Sequence, residues 1–154
     1  MKVEYTSGTW FAVPLRDDGF AVGLVARATP EGPAILAYFF GPRLESIPSL
    51  VEVSELKATS AVKIARVSDL HLIDGRWPTI GQSVGFRKNE WPFPKFVRSD
   101  EITRRAWVVE YADDDPGRVV TEVPVAFGAS TLDRDAAFGA GAIELALTKL
   151  LGEQ

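Results

Sequence analysis

His71 is the only histidine in the chain, and it stands in Asp69-Leu70-His71-Leu72-Ile73. A hydrolytic triad needs a serine and an acid converging on such a ring, and no Gly-x-Ser-x-Gly elbow presents that serine. A metal site needs several ligands, so one histidine among strand formers reads as a structural residue. Asp113, Asp114 and Asp115 lack the alternating oxygen ligands and terminal glutamate of a calcium loop, and read as an acidic hairpin tip. Glu52 and Glu55 are a pair of carboxylates that only a cleft of suitable width would turn to glycoside chemistry. Gly75, Gly81 and Gly85 are spaced too irregularly to cradle phosphate, and no Lys-Ser or Lys-Thr follows them. The expectation is a protein with no catalytic residues, no metal ligands and no cofactor, which works by binding.

Binding has better candidates. Gly75-Arg76-Trp77-Pro78 and Glu90-Trp91-Pro92-Phe93-Pro94-Lys95-Phe96 set large rings beside proline, which gives stiff apolar surface at low entropic cost. Interfaces favour such anchors with charged rims. Trp77, Trp91 and Phe93 are therefore the expected anchors, with Arg76, Lys95 and Arg98 around them. The competing reading is that the rings are packing residues capping an open end of the sheet.

Charge refines the choice of partner. The net charge is −4, which opposes a nucleic-acid partner even though Arg76, Arg87, Lys88, Lys95 and Arg98 interleave with the rings. Between Arg87 and Arg105 six basic residues face three acidic ones, and from Ala106 onward three basic face nine acidic. Such a split is ordinarily solvated surface, and it can also steer a charged protein partner.

The elements that must carry these residues read as strands. Residues 9–15 and 20–28 flank Arg16-Asp17-Asp18-Gly19, a hairpin turn. Phe20, Val22, Leu24 and Ala26 share one face of the second strand. Its other face carries the small Ala21, Gly23 and Val25, which invite close approach by another layer or tight sheet curvature. Residues 34–40, Ala-Ile-Leu-Ala-Tyr-Phe-Phe, read as a strand buried on both sides. Residues 44–58 are ambiguous between a short helix and a strand. Residues 61–67 and 70–73 read as strands, 75–94 as a structured loop, and 106–112 with 118–125 as a strand pair. Residues 140–151 form a helix with Ile143, Leu147 and Leu150 on one stripe, Ala146 and Leu151 beside it, and Gly152 as its cap.

The whole predicts one domain over residues 1–154, mainly β with an α+β character. The expected form is a curved antiparallel sheet or small barrel with one C-terminal helix packed on it. With no cysteine, no signal-peptide pattern and no apolar run near the roughly 18 residues of a membrane span, the expected setting is the cytoplasm, with no membrane partner. Oligomeric state is left open.

Five blocks in order resemble a known family. They are Trp10-Phe11-Ala12-Val13-Pro14-Leu15, Asp18-Gly19-Phe20-Ala21-Val22-Gly23, the two Trp-Pro blocks above, and Gly139-Ala140-Gly141-Ala142-Ile143-Glu144. Over residues 7–151 the chain is similar to the immunity protein 26 family of bacterial polymorphic-toxin systems. The resemblance implies an intracellular antidote that binds and neutralises a cognate protein toxin. It carries no shared binding residues onto this sequence. The alternative is a small-molecule or peptide binder with an aromatic-lined pocket.

Overall fold

The computed structural model describes residues 2–152. Strands β1 (Thr9–Pro14) and β2 (Phe20–Arg27) form the expected hairpin. Its turn depends on Gly19, whose φ of +77° is a left-handed conformation that a side chain disfavours. Strand β3 (Ala34–Leu44) pairs antiparallel with β2, and β4 (Lys63–Ser68) pairs antiparallel with β3. Between them α1 (Leu50–Val53) is one turn closed by a capping box, in which Ser49 and Glu52 satisfy each other's backbone amides. Glu52 therefore has a local structural task.

The six-stranded sheet runs β5-β1-β2-β3-β4-β9, with β5 (Thr79–Gln82) and β9 (Ala137–Phe138) at its edges. A second sheet, β6-β7-β8, is built from Phe96–Asp100, Arg105–Ala112 and Asp115–Val125. Helix α3 (Ala140–Gly152) ends the described chain.

Period-two alternation in the central strands separates two cores. Phe11, Val13, Ile35, Ala37 and Phe39 point to the face covered by α3, where Ile143, Leu147 and Leu151 meet them. Trp10, Leu36, Tyr38 and Phe40 point to the other face, where Phe96, Val109 and Tyr111 of the second sheet cover them. Burying a side chain such as Phe39 or Phe40 contributes roughly 1.5–3 kcal/mol. The two-sided burial of β3 is what holds the three layers together.

Several boundaries differ from the sequence reading. The larger sheet is mixed, because β9 runs parallel to β4, and the architecture is two sheets and a helix, with no closed barrel. Residues 70–73, expected as a strand, form the helical turn α2 (Leu70–Ile73). The amides of Leu72 and Ile73 both return to the Asp69 carbonyl, which buries Leu72 and leaves Leu70 exposed. The 75–94 segment contains β5, which the edge of β1 recruits through Thr9, Trp10 and Phe11. Strand β6 lies beyond the expected loop, and β8 begins three residues early, at Asp115. The acidic tip thereby shrinks to Asp113-Asp114.

Candidate binding surface

The six expected interface residues do not lie on one patch. Trp77 is fully buried against the α3-side core, stacked on Phe11 with ring centroids 5.6 Å apart. Its Nε1 donates to Glu144 of α3 at 2.9 Å, and Glu144 in turn pairs with Arg16. The Trp77 ring is therefore an internal strut and offers no surface to a partner. Arg76, next to it, is exposed and pairs with Asp74 at 3.6 Å. Asp74 also approaches His71 Nδ1 at 3.2 Å, and the His71 ring meets Trp77 edge-on. These contacts give His71 a structural role on α2.

Trp91 belongs to the opposite core. It is nearly buried, in edge-to-face contact with Trp10, Tyr38 and Phe40 at 6.0, 5.1 and 6.1 Å. Phe93, two residues on, is half-buried and stacks on Tyr111 at 6.2 Å. Lys95 is exposed. Arg98 projects from β6 over Trp107 and pairs with Glu122 of β8 at 2.5 Å. That hydrogen bond raises the Arg98 pKa further above its ordinary value.

Trp91, Phe93 and Lys95 thus share one loop, residues 83–95, and this loop is held from beneath. Arg27, at the end of β2 and 6% exposed, donates to the carbonyls of Trp91 and Lys88 and pairs with Asp113 at 3.0 Å. Lys88 completes the clamp on Asp113 at 2.5 Å. The Lys88 hydrogen bond, helped by Arg27, holds the Asp113 carboxyl below its ordinary pKa. Tyr38 donates its hydroxyl to the Pro92 carbonyl, and burial pushes that phenol up to about 12. The neighbouring aspartates are also occupied: Asp114 of the tip pairs with Arg118, and Asp115 at the start of β8 accepts the Gly117 amide.

A hollow opens on each side of the loop. One, of about 350 Å³, has Trp10 and Trp91 with Leu56 and Phe86 in its walls, and Lys57, Arg87 and Glu90 among its polar residues. Trp10 is 2% exposed and its Nε1 has no hydrogen-bond partner among the described residues. The other, of about 410 Å³, has Phe93 and Tyr111 beside Glu110, Asp114 and Arg118. Arg87, which borders the first hollow, and the exposed Lys95 belong to none of the described ion pairs, so both charges are available to a partner.

Trp10, Arg27 and Tyr38 are the members of this site that sequence reasoning did not single out. Arg27 carried a signal: a lone charge ending the apolar strand Phe20–Arg27 must find acceptors. Among the described residues no group of three or more His, Cys, Asp or Glu side chains is arranged to hold a metal ion. Among them, too, no helix is long and apolar enough to cross a membrane.

The family profile described as immunity protein 26 matches residues 6–108, which run from the residues before β1 into β7 and cover more than half of the chain. No curated protein and no solved structure gives a significant match.

Proposed function

We infer that this chain, which belongs to the immunity protein 26 family, protects its cell by binding a cognate protein toxin and neutralising it through protein–protein contact. The family match carries this reading. The surface agrees with it, because a stoichiometric inhibitor needs a fixed scaffold, aromatic anchors and a charged rim. In this proposal the toxin meets the 83–95 loop, with Phe93 and the exposed edge of Trp91 as apolar contacts. Arg87, Lys95 and Arg98 form the rim, and an acidic or mixed-charge toxin face complements them. The setting is the bacterial cytoplasm.

The test is capture from the native host followed by rescue. Tagged protein should retain one polypeptide in near-stoichiometric amount. Expression of that polypeptide alone should arrest growth, and co-expression of this chain should restore it. A captured polypeptide that is harmless, or an arrest that co-expression leaves untouched, overturns the reading.

A second reading rests on the hollow beside Trp10. An aromatic-walled cavity with Lys57 and Arg87 among its polar residues also suits a peptide or small ligand bearing a carboxylate. Binding of such ligands with Trp91 fluorescence quenching, but no toxin rescue, would favour it.

A further inference from the structure

A third hollow lies elsewhere. It measures about 530 Å³, and its walls include Val3, Tyr5, Ala28, Pro30, Asp69 and Ile73. Asp69 is 6% exposed, and Tyr5 donates its hydroxyl to Asp69 Oδ2 at 2.5 Å. None of the described ion pairs includes Asp69. Lys2 and Glu4 also border the hollow, but both are exposed, and neither is ion-paired to a described residue.

A buried carboxylate that, among the described residues, accepts one neutral hydrogen bond and meets no counter-charge is an expensive arrangement. The other deeply buried charges here avoid it: Arg27 is paired with Asp113, and Arg66 with Asp135. An ionised carboxylate is an acceptor only, so the complement it lacks is a cationic donor. The apolar walls supply contact for a short alkyl stem behind that charge.

We propose that the hollow over Asp69 binds an organic cation, an alkylammonium or guanidinium group whose charge pairs with Asp69 while its stem packs on Val3, Ala28, Pro30 and Ile73. The site stands apart from the 83–95 loop and does not depend on the toxin reading. The cation arrives either as a free small amine or as a lysine or arginine side chain of a polypeptide.

The experiment is an NMR titration of the full chain at constant ionic strength with n-butylammonium, the neutral n-butanol and Nα-acetyl-lysine methylamide. Butylammonium should shift the amides of Ala28, Thr29, Gly32 and Leu70 to Ile73 saturably, and butanol at equal concentration should not. In Asp69→Asn the affinity should fall about tenfold or more, as expected when a charge-assisted contact is lost. If the lysine derivative binds as well as butylammonium, the site takes side chains. If only butylammonium binds, it takes free amines. Equal shifts with butanol, no saturable shift, or unchanged affinity in a folded Asp69→Asn variant overturns the proposal. The butylammonium–butanol comparison uses the unaltered chain, so it decides the matter even if the variant fails to fold.

Discussion

The ring of Phe11 lies nearly parallel to the indole of Trp77, 7° between planes, and it occupies the space that a side chain at Gly23 would need. A Cβ built at Gly23 would stand 2.3 Å from Phe11 Cζ. Phe11 and Gly23 face each other across the β1–β2 pair, so neither can shift without breaking the ladder. Gly23→Ala should therefore destabilise the fold by about 1–3 kcal/mol, the usual cost of overpacking a core. Urea denaturation checks this; an unchanged midpoint would mean that the stack yields freely.

A second buried unit joins β4 to the second sheet. Arg66 pairs with Asp135 at 2.9 Å, lies over the Tyr111 ring at 3.8 Å and donates to the Pro116 carbonyl. Tyr111 donates its hydroxyl to the same Asp135 oxygen at 2.7 Å. Asp135→Ala strands a buried guanidinium and should cost about 3–5 kcal/mol. Tyr111→Phe removes one hydrogen bond and should cost about 1 kcal/mol. Denaturant midpoints of the two variants should rank in that order.

The tyrosines give a pH signature. Burial, reinforced for Tyr111 by its bond to Asp135, raises Tyr38 and Tyr111 to about 12 from an ordinary value of 10.0. Burial and the Asp69 contact raise Tyr5 as well. Folded pKa values above the unfolded ones favour the neutral phenols in the fold. That contribution is complete below about pH 10 and is lost as pH rises toward about 12. At pH 11 phenolate absorbance should be small in the native protein and should rise sharply when urea is added. Equal absorbance in both states would contradict the burial of these hydroxyls.

Much of the scaffold was legible in the sequence because it rests on periodicity. The unbroken apolar run at residues 34–40 could only be a strand covered on both faces, and Ile143 and Leu147 marked the helix stripe. The small face of β2 marked a crowded position, but the group that approaches Gly23 is Phe11 of the neighbouring strand in the same sheet and not another layer. Four residues at 70–73 are too few to show a period, so a helical turn and a strand look alike there. The two Trp-Pro blocks look equivalent in sequence, yet the chain puts Trp77 beneath α3 and Trp91 beneath the second sheet. Residue type states that an indole can anchor an interface; only the path of β5 along the sheet edge decides which indoles are consumed by packing. Trp10 was missed as a site residue for the same reason, since its place in the wall of a hollow is a property of its surroundings.

The proposed toxin contact separates rim charge from apolar contact. Arg87 and Lys95 stand on a loop that Arg27 fixes, so reversing them changes the field without moving the backbone. Arg87→Glu and Lys95→Glu should slow association with the toxin several-fold at low salt, with the difference shrinking as ionic strength rises. Phe93→Ala removes a half-buried ring near the end of the loop, and should weaken binding about tenfold, chiefly through faster dissociation. Trp77→Phe keeps an aromatic ring against Phe11 but loses the bond to Glu144. It should lower the denaturant midpoint and leave the toxin affinity unchanged. Surface plasmon resonance across salt concentrations measures all four variants. If Trp77→Phe weakens binding as much as Phe93→Ala does, the toxin contacts the α3 side of the molecule and the 83–95 loop is not its partner surface.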